Sequence, residues 1–232
     1  LKGKSMGFRV IRNTAIFFFV ISIGVVLNNY YKIYVDRKVS FNSSLAAIAE
    51  ENSDSNIVEM AVGDTEAPIS LVEYAAYTCI HCANFHKNIY PLLKENYIDT
   101  GKVRFTYREV YFHRYGLWAS IVARCGDDDQ KLFFGLTDLI YQKRDDWINS
   151  DEDDLLTLSE LKKIGKIIGL SENKLTSCLE DNAKIKNLVE WYRINSKRDE
   201  ITSTPTLLVN GEKFKVSSYE QLASFLDEIL SQ

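Results

Sequence analysis

Apolar side chains follow one another almost without a break from residue 69 to residue 77, Ile-Ser-Leu-Val-Glu-Tyr-Ala-Ala-Tyr. Such a run predicts a strand buried on both faces. From Cys79 to Tyr97 the spacing turns helical, and Gly101 follows it. Val103 to Tyr107 alternates as a strand does, and Ile57 to Val62 is a shorter strand candidate ahead of a Gly63-Asp64 turn. A long helical stretch then runs from about His113 to Asp199. Thr206 to Val209, Asn210-Gly211 and Lys213 to Val216 predict a hairpin around a strong turn dipeptide. Ser218 to Leu230 opens on a capping residue and reads as an amphipathic helix. The order is β, β, α, β, inserted helices, β, β, α. It predicts an α/β sheet interrupted by a helical block, with the helix after Cys79 as the crossover of the first parallel pair.

The first thirty residues carry a different signal. Lys2, Lys4, Arg9 and Arg12 precede an uncharged run from Ala15 to Leu27. A basic segment followed by such a run is a secretory pattern. A buried core helix fits poorly, because Phe17, Phe18 and Phe19 cover every face. No small-x-small cleavage site follows Leu27, so residues 1–30 are expected to be a signal peptide or an uncleaved anchor. Either way the basic end stays cytoplasmic and the remainder is exported. Residues 31–56 read as a linker, with Phe41, Leu45 and Ile48 at helical spacing before the polar run Asn52 to Asn56.

Composition narrows the function classes. At 232 residues and 46% hydrophobic, the sequence suits one folded domain with an insertion. A net charge of −4 offers no basic face for nucleic acid. There is no repeat of the solenoid kind. The three histidines and four cysteines are few enough to take one at a time.

Cys79-Ile80-His81-Cys82 falls where the apolar strand ends and a helix begins. Unpaired N–H groups and partial positive charge at a helix start stabilise a thiolate, the reactive form of cysteine. Two sulfurs three residues apart on a first turn share a face. Cys79, the earlier and more exposed, is expected to attack, Cys82 to resolve the mixed disulfide, and His81 to add positive charge. Half a zinc site is another reading, but no second ligand pair follows downstream. Cys79, Cys82 and His86 could hold copper in an exported metal chaperone, and a purely structural disulfide is a third alternative. Cys125 and Cys178 lie in the helical block. They are either two buried thiols packed as small hydrophobes or, as export favours, a structural disulfide. That bond would close a loop of about 52 residues, worth about 4 kcal/mol in the chain-entropy model.

The segment Glu73 to Cys82, Glu-Tyr-Ala-Ala-Tyr-Thr-Cys-Ile-His-Cys, resembles the active-site segment of DsbA-type proteins, thioredoxin-fold thiol–disulfide oxidases of the bacterial envelope. Thr204-Pro205 stands where thioredoxin folds carry a cis-proline, and the helical block falls between the third and fourth strands as in this family. Tyr107-Arg108-Glu109 and Ala123-Arg124-Cys125 are similar to the alphaproteobacterial branch. The resemblance covers residues 57 to 232. It departs at Ile80, where the best-known members have proline, which leaves the oxidising strength open while His81 argues for an oxidant.

The resemblance implies a thioredoxin-like fold, with residues 57–112 and 200–232 as the thioredoxin-like domain and 113–199 as the inserted helical domain. It gives Glu73 the part of a buried carboxylate exchanging a proton with Cys82, where the residue alone could equally reach solvent or pair with a lysine. Ile80, Thr204 and Pro205 become the expected substrate contacts, Thr204 through backbone groups that pair with an extended chain; alone, Pro205 is an ordinary strand-start proline. The implied activity is donation of the Cys79–Cys82 disulfide to reduced, newly exported proteins in the periplasm, with a membrane oxidase restoring it. No cofactor or metal is required. A disulfide isomerase or reductase is the rival reading. Elsewhere, His86 is expected as a packed or surface helix residue and His113 as a helix-start residue. The acidic runs 127–129 and 151–154 should be helix N-terminal or solvated charge, and Trp118, Trp147 and Trp191 core aromatics.

Overall fold

The computed structural model describes residues 57–148 and 153–231. The expected signal segment, the linker and the first two residues of the second acidic run lie outside these residues. Among the described residues no helix is long and apolar enough to cross a membrane.

Five strands form one sheet: β1 (Met60–Val62), β2 (Ile69–Ala75), β3 (Val103–Glu109), β4 (Thr206–Val209) and β5 (Glu212–Phe214). Their spatial order is β1-β3-β2-β4-β5. The β2 and β3 strands run parallel, with Leu71 opposite Phe105 and Ala75 opposite Glu109; the other pairs are antiparallel. β2 is therefore central, which explains its unbroken apolar sequence. Leu71 and Ala75 join the large core with Phe105 and Tyr107, while Tyr74 joins a smaller cluster with Ala76, Val110 and Leu208. Gly63 sits at φ 102° after β1, and a Cβ there would lie 2.4 Å from the Val103 carbonyl oxygen. Only glycine fits that approach.

The helix expected from Cys79 to Tyr97 is broken. α1 (Ile80–Asn88) ends at Ile89, α2 (Tyr90–Leu93) carries Pro91 in its first turn, and a π-helical turn covers Lys94–Ile98. Pro91 has no N–H to continue the ladder, so the axis restarts there. The long helical stretch resolves into six helices: α3 (Arg114–Ala123), α4 (Gln130–Gln142), α5 (Arg144–Trp147), α6 (Asp154–Ile167), α7 (Glu172–Glu180) and α8 (Asn182–Arg198). Side chains cap most of them. His113 accepts from the Tyr115 N–H, Asp129 from Leu132, Asp153 from Leu155 and Leu156, and Ser171 from Lys174. Both acidic runs thus supply caps, which is where carboxylates are stabilised. The C-terminal α9 (Tyr219–Leu230) is capped by Ser218.

The hairpin turns tighter than expected. Asn210 and Gly211 both have positive φ, 50° and 88°, and Val209 pairs directly with Glu212, so β5 begins one residue early. Of the three tryptophans only Trp147 is a fully buried core residue. Trp118 packs half-buried against the core, and half-buried Trp191 lies 5.7 Å under the Arg124 guanidinium.

The helical block is tied to the sheet by a buried ion pair. Arg124, just past α3, and Glu109, at the end of β3, are each 1% exposed at their side chains. Arg124 Nη2 donates to Glu109 Oε2 at 2.9 Å, its Nε donates to Oε1, and its Nη1 donates to the Val58 carbonyl at 2.9 Å. The Ser120 hydroxyl donates to the same carboxylate at 3.1 Å. The next residue, Cys125, is disulfide-bonded to Cys178, with Cα atoms 5.8 Å apart. Removing one member of such a pair strands the other charge without water. Arg124→Met is therefore expected to lose about 3–5 kcal/mol in urea unfolding, whereas the double variant Arg124→Met/Glu109→Leu should recover most of that loss. A single variant as stable as the double one would mean that the pair does not hold the block to the sheet.

Candidate active site: two unlike sulfurs at a helix start

At the end of β2 the backbone leaves the sheet at Ala76 and turns, with the Cys79 N–H donating to the Ala76 carbonyl at 2.9 Å. Cys79 is the N-cap of α1, in extended conformation, and its carbonyl accepts from the Ala83 N–H at 3.1 Å. No acidic residue stands in the first turn to oppose a thiolate. Both thiols of the motif are free; Cys79 is half-buried and Cys82 is fully buried.

The Thr204–Pro205 peptide bond is cis. It brings Thr204, 125 positions away in sequence, against Cys79, whose thiol donates to the Thr204 carbonyl at 3.4 Å. That carbonyl suits the protonated form, but most neighbours suit the anion. Hydrogen bonding from Cys82, then from Thr204 and from the N–H groups of Cys82 and His81, outweighs burial and lowers the Cys79 pKa from 9.0 to about 5. Cys82 moves the opposite way. Burial pushes its thiol far up, with Cys79 and the charge of Glu73 adding to the effect. The two sulfurs of one motif are thus an anion at the surface and a reluctant thiol beneath it.

Glu73 lies on β2 with no solvent exposure. Its Oε2 is 2.9 Å from His86 Nε2, while Oε1 has no partner. His86 comes from the second turn of α1 and is packed, stacking on Tyr141 with centroids 4.4 Å apart. It bonds Glu73 instead of turning toward the cysteines, and among the described residues no three His, Cys, Asp or Glu side chains converge on a metal site. His81 is exposed, and its contribution to the Cys79 sulfur runs through its backbone N–H. Ile80 is 48% exposed beside the motif. A groove of about 810 Å³ runs past His81, Phe85, Ile89, Leu92, Pro205 and Phe214.

Two contacts of the site carry no sequence signal. One is the Glu73–His86 bond. The other is Arg144, the first residue of α5, whose guanidinium donates to the Thr78 carbonyl at 2.9 and 3.3 Å. The grip fixes the residue that precedes Cys79. Neither partner stands in a recognisable motif, and Arg144 is 66 positions from Thr78.

Residues 55–228 match the family model described as Thioredoxin. The chain belongs to the thioredoxin family. Within it the chain is of the DsbA type, with the family's inserted helical domain. A Rickettsia bellii protein named for protein-disulfide oxidoreductase activity is 31% identical over 176 residues, which is 75% of this chain and 65% of that protein. Disulfide bond formation protein D of Bacillus subtilis is 24% identical over 173 residues, 73% of this chain and 76% of that protein. The crystal structure of Wolbachia pipientis alpha-DsbA1 superposes with a TM-score of 0.69 at 26% identity, covering 75% of this chain and 91% of that one. This thioredoxin-family chain spans slightly less than two thirds of the length of the Rickettsia relatives it matches.

The Cys79 shift predicts a pH signature of the reduced protein. A pKa depressed from 9.0 to about 5 stabilises the folded reduced state fully above about pH 9. The gain fades as the pH falls and is gone below about pH 5. The ultraviolet absorbance of thiolate in the reduced protein should titrate near pH 5, a step missing from Cys79→Ala. The difference in urea midpoint between the reduced protein and that variant should widen as the pH rises from 5. A single thiolate step near 9 would overturn the assignment.

Proposed function

We propose that this protein introduces disulfides into reduced, newly exported proteins by exchange through the Cys79–Cys82 pair. The observation that carries the reading is the unequal solvation of the two sulfurs, one half-buried with a pKa of about 5 and one fully buried. Whatever stabilises the Cys79 thiolate stabilises the reduced form, so the disulfide is readily passed on. A substrate thiolate attacks Cys79, the Cys79–Cys82 bond breaks, and Cys82 leaves and is protonated. The substrate's second thiolate then attacks its own mixed disulfide and releases Cys79 as a thiolate. Two electrons move from substrate to enzyme, and the exchange needs no cofactor.

The remaining parts follow from this chemistry. Glu73, buried and acting electrostatically on Cys82, exchanges the proton that Cys82 gains and loses. His81 supplies an N–H to the thiolate. Thr204 and Pro205 offer backbone groups to an extended substrate chain, and exposed Ile80 offers an apolar contact. Residues 57–112 and 200–232 act as the catalytic domain, 113–199 as the helical insertion, and residues 1–30 as the export signal. The reaction then takes place in the periplasm, where a membrane oxidase restores the disulfide. The relatives named for protein-disulfide oxidoreductase activity and for disulfide bond formation support this direction.

Redox titration of the protein against glutathione tests the proposal. The Cys79–Cys82 couple is expected to lie well above the glutathione pool, and Cys79→Ala to lose both the couple and all disulfide transfer to a reduced, unfolded protein. A potential near that of thioredoxin would overturn the oxidase reading and install the reductase or isomerase one.

A further inference from the structure

A proton exchanged with Cys82 must reach water, yet Cys82 and Glu73 are both sealed from it. The problem is sharpened by what surrounds them. Tyr107 and Tyr141 are buried around the carboxylate with Tyr77 packed on both, and burial holds all three hydroxyls well above the usual tyrosine range. They do not ionise and cannot carry the proton as a base.

One buried side chain bridges the gap. His86 meets Glu73 Oε2 through Nε2 at 2.9 Å. Its other nitrogen, Nδ1, is buried without a hydrogen-bond partner and lies 4.0 Å from Oδ1 of Asp138 on α4. The Asp138 side chain is 47% exposed and opens into a second cleft of about 560 Å³, on the side of Lys87, Lys94 and Arg144. The groups facing His86 are Glu73 from β2, Tyr107 from β3, Tyr90 from α2, and Asp138 and Tyr141 from α4. Glu73 and Asp138 are the two carboxylates among them, and they stand at opposite nitrogens of the one ring.

We propose that His86 and Asp138 form a proton path between Cys82 and solvent, separate from the groove that faces the substrate. The inference rests on the reading that Glu73 exchanges a proton with Cys82. When the Cys79–Cys82 bond opens, the Cys82 thiolate takes a proton from Glu73. Glu73 takes one from His86 Nε2, and His86 Nδ1 takes one from Asp138, which refills from water. When Cys82 attacks a mixed disulfide on Cys79, the new sulfur–sulfur bond forms, the old one breaks, and the proton runs outward along the same groups. Asp138, Lys94 and Tyr141 line this cleft and not the groove that Pro205 and Phe214 line, so the path has an outlet of its own. His86 and Asp138 touch neither sulfur and act through Glu73.

The test isolates the step. The full chain is loaded with a glutathione mixed disulfide at Cys79, and the release of glutathione by Cys82 is timed from about pH 5 to 8. Asp138→Asn and His86→Gln are each expected to slow release about tenfold and to flatten its pH profile, Glu73→Gln to slow it at least as much, and Asp138→Glu to restore it. The equilibrium potential of Asp138→Asn should match that of the parent, since a relay changes rates and not end states. Slowing by Glu73→Gln with parental rates in Asp138→Asn and His86→Gln would overturn the relay and leave the Glu73 reading standing. A parental rate in folded Glu73→Gln would overturn both. Asp138 is half exposed, so its variant keeps the test open should either buried substitution unfold the chain.

Discussion

The site depends on a difference in solvation between two sulfurs one helical turn apart. A cysteine at the mouth of a helix meets free N–H groups; a cysteine three residues further in meets the protein interior. Cys79 and Cys82 occupy those two places, and their pKa values move apart accordingly. A disulfide between such sulfurs breaks asymmetrically. Attack on the accessible one expels a buried anion that must be protonated, and closure requires that proton to be removed.

The strand that delivers Cys79 also carries that carboxylate. β2 is central in the sheet, so its side chains enter apolar layers on both sides. Glu73 is the one charged residue in the strand, and no solvent reaches it. A buried carboxylate is costly unless it is paired or protonated, and His86 is the partner the fold supplies. Tyr107 and Tyr141 bond each other at 2.8 Å, Tyr77 bonds the Thr137 hydroxyl at 2.8 Å, and the Glu73–His86 pair is left as the polar centre of the layer.

The helical block does more than shield this layer. Arg144 holds the carbonyl just ahead of Cys79, and Arg124 locks the end of β3, which pairs in register with the end of β2. The Cys125–Cys178 disulfide stands beside the second anchor. The junction from which Cys79 projects is therefore gripped at its turn and at the neighbouring strand end. Positioning of this kind matters because hydrogen bonds to a sulfur anion weaken steeply with misalignment.

Much of this was legible in the sequence, wherever the determining contacts are local. The unbroken apolar run specified β2, Asn210-Gly211 specified the hairpin, and Asp129, Asp153 and Ser218 supply caps where acidic or hydroxyl residues open helices. The cysteine pair at a strand-to-helix junction pointed to thiol chemistry, since thiolate stabilisation at a helix start is itself a local effect. Pro91 also carried its signal in plain view, although helical spacing alone concealed the break it causes. The partners of Glu73 and Thr78, the meeting of Thr204 with Cys79 across 125 positions and the opening beside Asp138 were decided only by the tertiary structure. Side-chain periodicity reports which face of an element is buried. It does not report which distant polar atom will meet it there, because that depends on how all the layers pack at once.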